Sequence, residues 1–218
     1  MILADERGST SEKAQNPGGV SIGILALQGA YEAHARTLLR LGVSTRLVRT
    51  PDELVGPDGR ASIDGLIIPG GESTTMLKFL ERNGFLDSLT SFVQTTPTFG
   101  TCAGAILLAR DVEHPAQRSL AAMDITVERN AYGRQIDSTI LTIPTNLAGG
   151  PLEMVFIRAP RITQTGPEVE ILAARDGFPV LVRQGHLLAA TFHPELSADT
   201  RVHQFFVDLV CKKIPVIG

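Results

Sequence analysis

Pro97-Thr98-Phe99-Gly100-Thr101-Cys102-Ala103-Gly104-Ala105-Ile106-Leu107-Leu108-Ala109-Arg110 is the stretch on which the fold turns. Pro97-Thr98-Phe99 reads as a short extended entry, and Ala105 to Arg110 carries strong helix formers with no breaker. Between them a cysteine stands between two glycines. The pattern predicts a sharp strand-to-helix turn with Cys102 at its apex, sulfur replacing hydroxyl in the G-x-nucleophile-x-G elbow. Such a turn lifts the side chain out of the packing. It also aims the sulfur at the positive end of the following helix, which favours thiolate over thiol.

The segments upstream repeat the strand-then-helix alternation. Ile22 to Leu27 is a continuous apolar run, the mark of a strand buried on both faces. Ala30 to Leu41 has helical spacing and stops at Gly42, a suitable residue just past a helix end. Val43 to Val48 and Ile63 to Pro69 read as the next strands, Ser73 to Glu81 and Leu86 to Val93 as helices. Alternation of this kind predicts a parallel α/β sheet with helices on both faces and chemistry at the carboxyl ends of its strands. From Met123 onward the texture changes to short β-rich pieces: 125–128, 139–143, 154–157, 169–173, 179–183 and 187–192. These are expected to add antiparallel strands and hairpins to the sheet, with a final helix over Asp199 to Lys212 packing back. Residues 1–19 are polar, lack the apolar core of a secretory signal, and are expected to be a disordered extension to a single domain spanning 20–218.

With 218 residues, 43% hydrophobic and 20% charged, the chain can bury one proper core. A formal charge of −3 and no long Lys/Arg run give no electrostatic footprint for nucleic acid or an anionic membrane surface. No apolar run approaches the ~20 residues of a membrane span. The two cysteines, Cys102 and Cys211, make no disulfide framework and no metal knuckle, and fit a reducing cytoplasm. Cys211 sits in an amphipathic C-terminal helix and reads as structural. His34, His114, His186 and His203 do not cluster at metal spacing, so no metal is assigned.

A nucleophile needs a base, and the base needs an orienter. His193-Pro194-Glu195 offers both, because residues i and i+2 of an extended strand face the same side and Pro194 ends the strand. Pro69-Gly70-Gly71-Glu72-Ser73-Thr74 joins a buried strand to a helix capped by Ser73 or a neighbour. Its amides, near Gly71, could form half of an oxyanion hole, the amide of Ala103 supplying the other half; the alternative reading is a tight βα turn. Arg129-Asn130-Ala131-Tyr132-Gly133-Arg134-Gln135 packs two guanidiniums and two amides after a strand, and Phe156-Ile157-Arg158-Ala159-Pro160 ends a strand in an arginine suited to gripping a carboxylate. A solvated loop and a structural ion pair are the competing readings of these two segments.

Together with Leu25-Ala26-Leu27-Gln28-Gly29-Ala30, these segments make the chain, from about Val20 to its last helix, closely resemble the glutaminase subunit of pyridoxal 5′-phosphate synthase. That family consists of class I, triad-type glutamine amidotransferases. The resemblance implies a flavodoxin-like, three-layer α/β/α fold with a mostly parallel central sheet and added antiparallel strands. It implies Cys102 as nucleophile, His193 as acid/base and Glu195 as its orienter. Gly71, Glu72, Ser73, Arg129, Ile157 and Arg158 match the positions that hold L-glutamine. No cofactor is implied. The ammonia is expected to pass to a (β/α)8-barrel synthase subunit that builds pyridoxal 5′-phosphate.

Three alternatives stay open at this point. They are a glutaminase subunit of another synthase such as imidazole glycerol phosphate synthase, a cysteine hydrolase acting on peptides, and a non-enzymatic flavodoxin-like binding module. The segments Gln28 to Tyr31 and Arg129 to Gln135, read as partner-facing, argue against the first. The coincidence of elbow, H-P-E and G-G-E-S argues against the last.

Overall fold

The computed structural model describes residues 19–56, 59–82, 84–129 and 138–212, so residues 1–18 of the expected extension and residues 130–135 of the arginine-rich segment lie outside the described residues. The first half alternates as expected: β1 (Ser21–Leu25), α1 (Tyr31–Arg40), β2 (Ser44–Val48), β3 (Gly65–Ile68), α2 (Ser73–Arg82), α3 (Phe85–Val93), β4 (Thr98–Thr101) and α4 (Ala103–Leu108). The second half is β5 (Ala109–Glu113), β6 (Met123–Glu128), β7 (Ser138–Ile143), β8 (Leu152–Ile157), β9 (Arg161–Thr165), β10 (Glu170–Arg175), β11 (Phe178–Gln184), β12 (Leu187–Ala190) and α5 (Arg201–Val210).

Seven strands form the central sheet in the order β10-β11-β12-β4-β3-β1-β2. The ladders from β12 through β4, β3 and β1 to β2 are all parallel, whereas β11 pairs antiparallel with both β12 and β10. Side chains alternate across each strand, and this splits the core in two. Ile22, Ile24, Ile67 and Phe99 face one side and pack with Leu38 of α1 and Val202, Phe206 and Val207 of α5. Leu25, Leu66 and Ile68 face the other and pack with Met76, Leu77 and Leu80 of α2, Leu86 and Leu89 of α3, and α4. Helices on both faces explain why these strands are apolar throughout instead of alternating with polar residues. Phe99 is fully buried and its ring lies 5.6 Å from that of Phe206; truncating either would remove roughly 3–5 kcal/mol of stability.

The structure corrects three expectations. The helix after Cys102 stops at Leu108, because Ala109 takes an extended ψ of 145° and Ala109–Glu113 pairs with β6. Helix propensity at Ala109 and Arg110 yields to a tertiary ladder. The segment Arg161–Thr165, too polar to read as a strand, pairs antiparallel with β6 in a separate sheet β5-β6-β9. Of the later pieces β10, β11 and β12 join the central sheet, where only β11 runs against the other strands, and β7-β8 is a hairpin of its own. Among the described residues no helix is long and apolar enough to cross a membrane.

Candidate active site

Cys102 follows β4 at the carboxyl end of the central sheet. Its backbone has φ 47° and ψ −101°, a conformation that a non-glycine residue keeps only when its surroundings enforce it. The enforcement is visible. The Cys102 amide donates to the Ala190 carbonyl at 2.8 Å, and the Cys102 carbonyl accepts the amide of Ile106 at 3.2 Å to begin α4. Gly104 lets the elbow press against β3, since a β-carbon there would lie 2.1 Å from the Ile68 carbonyl oxygen. The turn does not expose its apex as expected: Cys102 is only 7% accessible, and what it faces is a cavity.

His193 arrives from the neighbouring strand. β12 ends at Ala190, and the His193 amide is anchored on the Val155 carbonyl of β8 at 2.8 Å. The ring donates from Nδ1 to Oε1 of Glu195 at 2.7 Å, and it shares the wall of one cavity with Cys102. The predicted partnership is present, but its cause differs from the one expected. Pro194–Leu196 is a turn of 3-10 helix, so Glu195 folds back under the imidazole instead of sharing a strand face with it. Burial opposes a charge on His193, yet the hydrogen bonds and negative charges of Cys102 and Glu195 outweigh it and raise the pKa to about 10. The ring therefore holds a proton at neutral pH beside the Cys102 sulfur.

Above this group opens a cavity of about 270 Å³ lined by Gly71, Glu72, Ser73, Cys102, Ile106, Arg129, Ile157, Arg158 and His193. It is smaller than the roughly 300–1,000 Å³ of pockets for drug-sized ligands, a size suited to an amino acid. All six residues expected to hold a substrate are in its wall. Ala103 is buried directly behind the elbow, and Glu195 stands behind His193, so neither side chain lines the cavity.

The wall has its own internal logic. Glu72, not Ser73, caps α2, its two carboxylate oxygens accepting the amides of Thr74 at 3.0 Å and Thr75 at 2.6 Å. Partial burial opposes that charge, but these hydrogen bonds and those of the threonine hydroxyls bring its pKa down to about 2. Ser73 instead donates to Gln117 Oε1 at 3.0 Å. Arg129 Nη2 donates to Thr74 Oγ1 at 2.8 Å and stands 3.5 Å from Glu72 Oε1, which aims the guanidinium along the cavity edge. Gln28 grips the backbone of Glu72 from both sides: its Nε2 donates to the Glu72 carbonyl at 3.1 Å and its Oε1 accepts the Glu72 amide at 3.2 Å. Arg158 is held at a left-handed φ of 43° on the exposed rim.

Sequence reasoning missed several members of this assembly. Ile106 lines the cavity one helical turn after the elbow, and only its spacing from Cys102 could have suggested it. His34, Thr101 and His203 gather behind Glu195. Nothing local in the sequence marks them, because α1 and α5 meet there only through the fold. A larger cavity of about 440 Å³, with Asn146, Glu170, Arg183 and Arg201 in its wall, contains none of the residues singled out from the sequence.

A cysteine sulfur, a protonated imidazole and a buried carboxylate in series, with arginines at the rim, can carry out nucleophilic attack on a carbonyl and protonation of the group that leaves. The chain is 59% identical over 191 residues, 88% of its own length and 96% of the relative's, to pyridoxal 5′-phosphate synthase subunit PdxT of Koribacter versatilis (strain Ellin345). It is 47% identical over 194 residues, 88% of its length and 100% of the relative's, to the subunit of the same name from Thermotoga sp. (strain RQ2). A solved structure described as a glutamine amidotransferase shares 41% identity with a TM-score of 0.79, covering 87% of this chain and 98% of that one. The family profile itself matches from β1 to the end of α5, and by residues 24–212 the chain belongs to the SNO glutamine amidotransferase family.

Proposed function

We propose that the chain hydrolyses L-glutamine to L-glutamate and ammonia at Cys102 and serves as the glutaminase subunit of a pyridoxal 5′-phosphate synthase. The observation that carries this reading is the Cys102-His193-Glu195 series opening into a cavity that also presents Arg129 and Arg158. Cys102 sulfur attacks the side-chain amide carbon of glutamine. The carbonyl electrons move to oxygen, which the amides of Gly71 and Ala103 stabilise. Protonated His193 gives its proton to the amide nitrogen, the C–N bond breaks, and ammonia leaves a γ-glutamyl thioester. Water then attacks the thioester while His193 takes its proton, and glutamate departs as the sulfur regains its charge. Glu195 keeps the imidazole in the tautomer that both steps need.

Free glutamine also carries a carboxylate and an ammonium. Arg129 and Arg158 receive the first, and ionised Glu72, with Gly71, Ser73 and Ile157, completes the wall around the second. The ammonia passes to a (β/α)8-barrel synthase subunit in the cytoplasm. The test is glutamate production by the full chain, alone and with that synthase, together with intact-mass detection of the γ-glutamyl adduct. Turnover and an adduct on Cys102, both absent in Cys102→Ala, are expected. Undiminished turnover by Cys102→Ala would overturn the assignment.

A further inference from the structure

Behind Glu195, on the side away from the cavity, lies a buried pair of histidines from the first and last helices. His34 of α1 and His203 of α5 are both fully buried, and His34 Nδ1 is 2.9 Å from His203 Nε2. The other nitrogen of His34, Nε2, is 3.2 Å from Thr101 Oγ1 at the end of β4 and 3.4 Å from Glu195 Oε2. Glu195 uses Oε1 for His193, and its buried Oε2 has no hydrogen-bond partner among the described residues, nor has His203 Nδ1. The ring of Phe99 makes T-shaped contacts with both histidines, its centroid 6.4 Å from that of His34 and 6.0 Å from that of His203.

We propose that His34 is a positioning residue for the glutaminase reaction: in the tautomer imposed by His203, its Nε2–H steadies the second oxygen of Glu195 and so fixes the carboxylate against His193. This rests on the reading of Cys102, His193 and Glu195 given above.

Proton counting selects the tautomer. Burial, then the charges of His203 and His193, hold the pKa of His34 well below its ordinary value. Burial, then the charge of Arg40, brings that of His203 to about 3. Each ring is therefore neutral and carries one proton. If His34 donated from Nδ1 to His203 Nε2, the His203 proton would sit on Nδ1, a buried N–H with no acceptor. It would also turn a bare His34 Nε2 lone pair toward an anionic oxygen. Both arrangements are penalised in a dry interior. If His203 donates from Nε2 to His34 Nδ1, the His34 proton sits on Nε2, facing Thr101 and Glu195. The group left over is then only an unused lone pair on His203, and orphaned acceptors are tolerated better than orphaned donors. The assignment is then His203 Nε2–H to His34 Nδ1, with His34 Nε2–H facing Thr101 Oγ1 and Glu195 Oε2.

Two measurements test this. Long-range 15N spectra of the full chain with labelled histidine should give both rings as Nε2–H tautomers, and an Nδ1–H signal from His34 would overturn the proposal. In glutaminase assays with the synthase present, His34→Phe should lower kcat about ten-fold at unchanged KM, because the carboxylate loses the N–H that faces its second oxygen. His34→Gln, whose Nε2 can reach the same oxygen, should restore most of that rate. Placed on Glu195→Gln, His34→Phe should add little, because its effect passes through that carboxylate. A full additive loss, or no rescue by a folded His34→Gln, would reduce His34 to a packing residue. If Glu195→Gln alone left kcat untouched, the triad reading itself would fail; if Glu195→Gln reduced kcat and His34→Phe did not, the His34 proposal alone would fall.

Discussion

Gly70 packs so closely on His193 that a β-carbon at the glycine would lie 2.5 Å from the imidazole Cε1, 3.0 Å from Nδ1 and 3.3 Å from the Cys102 β-carbon. The backbone after β3 is therefore one wall of the slot that holds the ring, and the absence of a side chain there sets where the ring can stand.

Gly70→Ala should accordingly reduce glutamine turnover by about ten-fold or more, since one added methyl must push the imidazole off its line between Cys102 and Glu195. Circular dichroism and kcat on the same sample test it. A variant with native turnover would mean that the ring has room to spare.

His193 should titrate near pH 10, far above its ordinary 6.5. The folded ring binds its proton more tightly than the unfolded one, so this group's contribution to stability is complete below about pH 6.5 and is lost as pH rises through about 10. Imidazole proton resonances followed against pH should place the midpoint there. In Cys102→Ala, which removes the main support of the charged ring, the midpoint should drop. A midpoint near 6.5 in the unaltered chain would mean that the neutral pair is the resting state.

Replacing His193 by Asn should remove nearly as much activity as replacing Cys102, since the two act as one unit. Glu195→Gln should leave a measurable remainder, because the carboxylate orients and stabilises without exchanging the proton. Equal and negligible effects of the two changes would take His193-Pro194-Glu195 out of the mechanism.

Arg129→Ala and Arg158→Ala should raise KM about ten-fold or more while sparing the rate at which iodoacetamide alkylates Cys102, a reaction that needs no carboxylate anchor. Thr74→Val should raise KM less, because it only releases one of the contacts that aim Arg129. Unchanged KM in both arginine variants would reassign them to structure or to the synthase interface.

What could be read from the sequence followed the range of the interactions concerned. The elbow was legible because its glycines lie within two residues of Cys102, and the strands of the parallel sheet were legible because burial on both faces leaves an uninterrupted apolar record. The helix end at Leu108 was not, since only the pairing of Ala109–Glu113 with β6 decides it. His193 and Glu195 do lie together, but a 3-10 turn brings them there where a shared strand face was expected. His34 and His203 were passed over because a histidine in an amphipathic helix carries no mark of what a distant helix will place beside it. Residues 130–135, which the sequence made prominent, lie outside the described residues.

The ladder between β4 and β12 has a consequence for how the protein acquires activity. Thr101 registers with Ala190, and the Cys102 amide closes on the same residue, so Cys102 and His193 meet only when two segments far apart in the chain have paired. Closing so long a loop is entropically late, and non-local parallel pairing is intrinsically slow. A chain emerging from the ribosome, or one cut before β12, thus carries Cys102 without His193 and Glu195 and is unable to hydrolyse glutamine. Ammonia release is in this way deferred until the last strands and α5 have been made.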